Sequence, residues 1–260
     1  MQPRLDLDFD LEPQRLPAFL DAVLAAAEER PLIVDSFCCQ GGATLGYGLA
    51  GLDSHPRGFY VVGIDIDPQP RYCGPAFIRG DALAVLAAMT PWIRRHVLFV
   101  HASPPCQGYS DTQVLRGRDH PKLIGPVREL LTGTGVPWVI ENVPGARAHM
   151  NSPVVLCGTM FGHKTYRDRW FESGGGLVLD QPHHPRHDLP ITQMGRPRRV
   201  GQMAHYVGNF SGVAEARNDL GVPTMNRDGI RECIPPSYAR WVGLRAAAQF
   251  LPRTQAGAAA

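Results

Sequence analysis

Cys106 is the residue of this chain best suited to covalent chemistry. A thiol is the strongest nucleophile among the side chains, and with a free pKa of about 8.5 it needs only a modest electropositive environment to raise its thiolate fraction. Cysteines are more often buried and inert, but the flanking Pro104-Pro105 and Gln107-Gly108 argue against a core position here. Three carboxylates, Asp35, Asp65 and Glu141, stand in or at the end of short apolar, β-branched runs. A carboxyl group near a thiolate can protonate or hydrogen-bond the atom that gathers charge when the thiolate adds to a ring. Alone, Glu141 reads as a strand-end acid that caps a helix or pairs with an arginine; the cysteine is what gives it a chemical reading.

The elements that must position these groups are legible in the periodicity. Residues 32–37 form a short buried-strand pattern, followed by a glycine turn at Gly41-Gly42 and a helical stretch toward Leu49. The same grammar recurs at 60–65, at 97–100 ahead of Cys106, and at 138–140 ahead of Glu141-Asn142-Val143. Strands alternating with helices predict an α/β fold with a Rossmann-like, doubly wound, mostly parallel sheet, whose ligands bind beyond the carboxyl ends of the strands. Asp35, Asp65, Cys106 and Glu141 would then face one crevice. The turn Cys38-Cys39-Gln40-Gly41-Gly42, followed by Gly46, is neither G-x-G-x-x-G nor a P-loop, so a ligand other than a bound phosphate fits better.

Residues 16–30 carry apolar side chains at helical spacing and predict an amphipathic helix inside an N-terminal helical extension, 1–30. The catalytic and cofactor-binding domain is expected over 31–171. From about Trp170 the rhythm gives way to Gly174-Gly175-Gly176, histidines at 183, 184 and 187, and Arg196, Arg198 and Arg199, which predicts a small recognition lobe over 172–230. A C-terminal helix returns over 231–251, and 252–260 reads as a disordered tail.

With 44% apolar and 19% charged residues and a net charge of +2, the composition is that of a globular protein and neither demands nor excludes nucleic acid. No run approaches the ~18 apolar residues of a membrane span. The start, with Asp6, Asp8, Asp10 and Glu12, is the opposite of a signal-peptide n-region, so no membrane association and a cytoplasmic location are expected. Six dispersed cysteines suit reduced thiols better than a disulfide scaffold.

Four stretches in order, Asp35-Ser36-Phe37-Cys38-Cys39-Gln40-Gly41-Gly42, Gly80-Asp81, Pro104-Pro105-Cys106-Gln107 and Glu141-Asn142-Val143, resemble the motifs of the DNA cytosine-5 methyltransferases. The resemblance runs from about 32 to 171 and resumes at Ile234-Pro235-Pro236. It implies the S-adenosylmethionine-dependent methyltransferase fold and methyl transfer from S-adenosylmethionine to C5 of a flipped-out cytosine in duplex DNA, in a restriction-modification or regulatory setting, by a protein that works as a monomer. C5 is too poor a nucleophile unaided, and adding a thiolate at C6 makes it an enamine carbon. The resemblance gives Cys106 that role and places Glu141 at N3 of the ring. Asn142 and Val143 would shape the base pocket with Gln107, and Phe37, Gln40, Gly41, Gly42, Asp65, Ile66, Asp81, Ala82 and Pro105 would hold the cofactor, with Asp65 on the ribose hydroxyls. The base that removes the C5 proton is not assigned.

Tyr166-Arg167-Asp168-Arg169 resembles the family's Gln-x-Arg-x-Arg motif with Thr165 in place of glutamine. On a strand, Arg167 and Arg169 would project the same way into the catalytic site, to hold the O2 face of the target base or a nearby phosphate, and Arg169 is the preferred base contact. Arg231-Glu232-Cys233-Ile234-Pro235-Pro236 puts Glu232 where the family has asparagine, which bears on a local cofactor contact. Arg116, Arg118 and Lys122, and the arginines at 196, 198 and 199, are candidates for DNA phosphates. The histidines at 183, 184 and 187, with Cys157 and His163, match no standard zinc spacing, so a polar loop and no metal are expected. The rival readings are a transfer-RNA cytosine-5 methyltransferase of the same fold, a catalytically silent binding homologue, and an enzyme that keeps the thiol addition but uses a different one-carbon donor.

Overall fold

A computed structural model describes residues 3–109 and 121–252. Its strands are β1 (Leu5–Asp8), β2 (Leu32–Ser36), β3 (Tyr60–Asp65), β4 (Ala76–Arg79), β5 (Val97–Ala102), β6 (Trp138–Asn142), β7 (Val154–Leu156) and β8 (Arg169–Gly174). The helices among the described residues are α1 (Leu16–Ala27), α2 (Gly42–Ser54), α3 (Ala82–His96), α4 (Ile124–Thr134), α5 (Val213–Leu220), α6 (Arg227–Glu232) and α7 (Pro236–Phe250). One sheet runs β1-β4-β3-β2-β5-β6-β8-β7. Every pairing from β1 to β6 is parallel, and β8 is antiparallel to both β6 and β7. This is the doubly wound, mostly parallel α/β sheet that the strand-helix alternation predicts.

Strands β2, β3 and β6 are buried at every position, as a sheet covered on both faces requires. Their side chains alternate between two cores. Leu32, Val34, Val62, Ile64 and Ile140 join a core closed by α1, α3 and α4 through Phe19, Leu20, Val23, Leu86, Met89, Ile93 and Leu131. Ile33, Val61 and Val139 join the opposite core, closed by α2 and α7 through Tyr47, Ala50, Tyr238 and Val242.

The acidic start holds a strand that composition hid. In β1 the leucines alternate with Asp6 and Asp8, and Leu7 is buried. The strand pairs with β4 alone at the sheet edge, where Arg79 Nη1 donates to Asp8 Oδ2 at 2.8 Å. Helix α1 ends at Ala27, short of residue 30, because Glu28 and Glu29 take positive φ angles of 48° and 66°.

Strand order reverses at β2: β3 and β4 lie to one side, β5 and β6 to the other. Such a reversal opens a crevice at the carboxyl ends of the two central strands. The register sets Asp35 beside His101 and Ser36 beside Ala102, so the turn after β2 and the Cys106 loop after β5 leave the sheet side by side. Because β8 runs antiparallel to β6, its first residue, Arg169, arrives next to the end of β6, where Asn142 pairs with Trp170.

After β8 regular structure thins out. Residues 177–212 hold no helix or multi-residue strand and are tied to the sheet domain by the isolated bridge of Thr165 with Ala204. Tyr206, Phe210, Leu220, Met225 and Ile230 gather into a small core of their own with α5 and α6. No described helix is long and apolar enough to cross a membrane.

Candidate active site

The crevice at the strand reversal is a cavity of about 280 Å³ whose walls carry Cys106, Glu141, Asp35 and Asp65 together. Glu141 occupies the penultimate position of β6 and is 5% exposed. Cys106 lies in the loop after β5, half-buried, where Tyr109 N donates to its carbonyl at 3.0 Å and starts a 3-10 turn, Gln107–Tyr109. Asn142 couples the two. Its Nδ2 donates to Pro104 O at 2.9 Å, and its Oδ1 accepts from Val143 N at 3.0 Å, so the nucleophile's loop is tied to the strand that presents the acid.

Glu141 is poised to hold a proton. Burial pushes its carboxyl above the usual range, against the pull of Arg169, Arg167 and a hydrogen bond from Ser103. Arg169 Nε stands 3.0 Å from Glu141 Oε1, yet that oxygen makes no aligned hydrogen bond and remains a buried acceptor without a partner. Burial also raises the Cys106 thiol, the Arg169 charge lowers it, and Glu141 raises it again. Arg169 therefore acts on both groups in the direction that favours their anions.

Behind Glu141 runs a polar chain that the motifs did not reveal. Tyr47 Oη is hydrogen-bonded to His101 Nδ1 at 2.5 Å, and His101 Nε2 to Ser103 Oγ at 2.6 Å. Burial lowers His101 to about 3, so the ring is neutral and one nitrogen accepts while the other donates. With Tyr47 as donor to Nδ1, the Nε2 proton is directed to Ser103 Oγ. The signal in the sequence is a histidine inside the apolar run Val97-Leu98-Phe99-Val100-His101-Ala102; buried polar side chains need partners, so its presence announces one.

The opposite wall comes from β2, β3 and the turn between β2 and α2. Phe37 and Cys39 take positive φ angles of 61° and 47°, a backbone cost of the kind concentrated at functional sites. Asp65 accepts from Cys39 N at 2.8 Å on Oδ2, and from Asp67 N at 3.0 Å and Gln69 Nε2 at 3.3 Å on Oδ1. Oδ2 keeps a lone pair for a ligand hydroxyl. Asp35 is 1% exposed; Thr44 Oγ1 donates to its Oδ2 at 2.6 Å, but its Oδ1 is buried without a partner. Burial raises this carboxyl to about 7.

Of the residues expected to hold the cofactor, Phe37, Gln40, Gly42, Asp65, Ile66 and Pro105 line the crevice, as do Gln107, Asn142 and Val143 of the expected base pocket. Gly41, Asp81 and Ala82 do not. Asp81 caps α3 by accepting from Ala84 N at 2.9 Å, and Ala82 is packed inside that helix's first turn. The glycines of the turn are also required by protein packing. Gly41 has φ 88°, and a Cβ on Gly42 would come within 2.5 Å of Ile234 O. Arg116 and Arg118 lie outside the described residues, and Lys122 is exposed.

The expectation for Arg167 is corrected. It precedes β8, with φ 45°, and does not share a strand face with Arg169. It is buried, and its guanidinium donates to the carbonyls of Tyr206, Ile230, Arg231 and Cys233 at 2.6–3.1 Å. It therefore staples the lobe and the segment before α7 to the sheet, with Nε, Nη1 and Nη2 all engaged by backbone carbonyls. Glu232, Cys233 and Ile234 line the crevice from that stapled segment. Gln40 makes a second tie: its Nε2 donates to Asn226 Oδ1 at 2.7 Å and its Oε1 accepts from Asn226 N at 3.3 Å. The histidine-rich stretch is also more than a polar loop, because His184 and His187 meet Cys157 and Asp168. His163 and His183 stay outside that cluster.

No protein-family profile matches the chain, and no curated protein matches it. A solved structure of the Entamoeba histolytica methyltransferase EhMeth aligns with 85% of this chain and 97% of its own, at 11% identity and a TM-score of 0.40.

Proposed function

We propose that this protein transfers a methyl group from S-adenosylmethionine to C5 of a cytosine flipped out of duplex DNA. The observation that carries the reading is the pairing of Cys106 with Glu141 on the walls of one crevice, coupled through Asn142 and Pro104. Cys106 Sγ adds to C6 of the ring. The electrons displaced toward N3 meet Glu141, whose raised pKa and unpartnered Oε1 suit it to hold a proton against that nitrogen. Arg169 supports the thiolate and restrains Glu141. Loss of the C5 proton to a general base then expels Sγ from C6 as the thiolate, and N3 returns its proton to Glu141 as the aromatic ring is restored.

The residues opposite fit S-adenosylmethionine. Asp65 offers an acceptor for ribose hydroxyls, and Asp35 Oδ1 is an unpaired buried acceptor suited to a cationic amine. Gln40, Ile66 and Pro105 complete that wall. S-adenosylmethionine, when bound, supplies the electrophilic methyl group that C5 accepts. Duplex DNA would meet the lobe, where Arg196 and Arg199 are exposed beside a fully exposed Val200.

Incubation with tritium-labelled S-adenosylmethionine and duplex DNA of varied sequence should label cytosine C5, and Cys106→Ser should abolish labelling while leaving the circular dichroism spectrum unchanged. Label on transfer RNA alone would replace the DNA substrate with RNA. Near-normal turnover in Cys106→Ser would overturn the mechanism.

A further inference from the structure

Away from the crevice, four side chains with metal-binding atoms converge where the lobe meets the sheet. Cys157 directly follows β7, Asp168 directly precedes β8, and His184 and His187 belong to the irregular run after β8. Their ligand atoms all lie within 4.8 Å of one another. Cys157 Sγ is 3.3 Å from His187 Nε2, His184 Nε2 is 3.1 Å from His187 Nε2, and Asp168 Oδ1 is 3.6 Å and 4.0 Å from His187 Nε2 and His184 Nε2. Four ligands at the corners of a tetrahedron, each ~2.0–2.3 Å from a central ion, stand ~3.3–3.8 Å apart. The observed separations bracket that edge.

Hydrogen bonding within the protein does not account for the cluster. Asp168 Oδ1 is buried and has no hydrogen-bond partner, although it points into the group. Two imidazole nitrogens facing each other can share only one proton as neutral rings, and both also face a sulfur or a carboxylate oxygen. A single cation answers all four atoms. Thiolate and carboxylate neutralise a divalent ion while the two imidazoles bind uncharged, so the site closes without net charge. A sulfur with two imidazoles selects zinc over calcium or magnesium, and four protein ligands leave no open position for chemistry.

We infer that Cys157, Asp168, His184 and His187 bind a structural zinc ion that braces the lobe against the sheet. The run from 177 to 190 has no helix or strand of its own; its start is held by buried Leu177 and Leu179 and by Gln181 against Val155, and its end by Tyr166. The Tyr166 hydroxyl accepts from Leu189 N at 2.9 Å and donates to Leu189 O at 2.8 Å, and the ring stacks on His187 with centroids 3.8 Å apart. The ion would join this run to residues 157 and 168. Through Asp168 it would also set the start of β8, from which Arg169 reaches Glu141. The inference does not depend on which reaction the crevice performs.

Elemental analysis of the purified full chain should find close to one zinc per chain. His184→Ala/His187→Ala, altered at exposed positions, should lose it while keeping the circular dichroism of the parent. Cobalt exchanged into the parent should give the visible bands of a tetrahedral ion with a thiolate charge-transfer band, and Cys157→Ser should lose that band. A chelator should lower the melting temperature of the parent by several degrees and leave the double variant unmoved. A parent chain that carries no zinc and takes none up from zinc-containing buffer overturns the inference, as does a double variant that retains its zinc. Should the double variant fail to fold, the cobalt spectrum of the parent decides: an octahedral spectrum with no sulfur band overturns the inference.

Discussion

Around the crevice, Glu141 and Asp65 sit on buried strands and Cys106 follows one within a few residues, whereas Arg167, Asp168, His184 and His187 sit on irregular backbone. In the first region the sheet positions the side chains. In the second the side chains position the backbone: Arg167 spans four carbonyls from the lobe and the segment before α7. Substitutions should therefore separate cleanly. Those in the crevice should change chemistry without destabilising the fold, and those at the junction should lower stability first.

The largest effect expected on the crevice side, short of removing the nucleophile, is at Glu141. Glu141→Gln keeps the volume and a hydrogen-bond donor but cannot deliver a proton, so on the proposed reaction kcat should fall about 10²–10⁴-fold with little change in melting temperature. In the parent, activity should follow a bell-shaped pH profile, because rising pH removes the Glu141 acid form while it supplies the Cys106 thiolate, and Glu141→Gln should remove the Glu141 limb of that profile. A melting temperature that collapses along with kcat would erase the contrast with the junction.

Arg167→Ala makes the opposite prediction. Removing a buried guanidinium that satisfies four carbonyls should cost about 3–5 kcal/mol, comparable to breaking a buried ion pair, because the carbonyls are left without donors. Chemical denaturation should show the loss, and kcat of the fraction still folded should change far less than in Glu141→Gln. A variant with parental stability and lost activity would return Arg167 to the catalytic role that the motif suggested.

This contrast also explains what was legible in the sequence. The strands at 32–36, 60–65, 97–102 and 138–142 announced themselves as β-branched runs, and the residues after them inherited their placement from the parallel topology. β1 did not, because four alternating residues beside further acids look like a charged tail. Arg167 was misread because spacing of two implies a shared face only on a strand, and a positive φ breaks that rule. His101 stayed hidden because its partners, Tyr47 and Ser103, come from α2 and from a motif that already had a reading. The ligand cluster was unreadable by spacing, since Cys157, Asp168 and the pair at 184 and 187 come together only once β7 and β8 have paired.

Asp35 sharpens the crevice side, since there a side chain lowers stability instead of supporting it. Burial raises its carboxyl from 3.8 to about 7, so the folded chain holds this proton more tightly than the unfolded chain does. The cost to folding is absent below about pH 4, grows as pH rises, and is complete above about pH 7. Asp35→Asn can still accept from Thr44 and should remove that cost. It should be more stable than the parent at about pH 8, by on the order of a few kcal/mol and with a correspondingly higher melting temperature, and should show no such gain near pH 4. An equal difference at both pH values would show that burial of the charge is not what Asp35 costs the fold.

The smallest expected effects lie at the exposed tip of the lobe. Arg198 Nε donates to Glu215 Oε1 at 2.7 Å and is committed to the lobe's own structure, while Arg196 and Arg199 are exposed and form no ion pair with any described residue. If the tip lies against DNA phosphates, replacing Arg196 or Arg199 by Ala should weaken binding by similar factors for all sequences. Each replacement should also reduce the dependence of log affinity on log salt by about one unit. Arg198→Ala should loosen the lobe without that change in slope. An unchanged slope in Arg196→Ala and Arg199→Ala would remove the tip from the DNA interface while leaving the crevice and its chemistry as they stand.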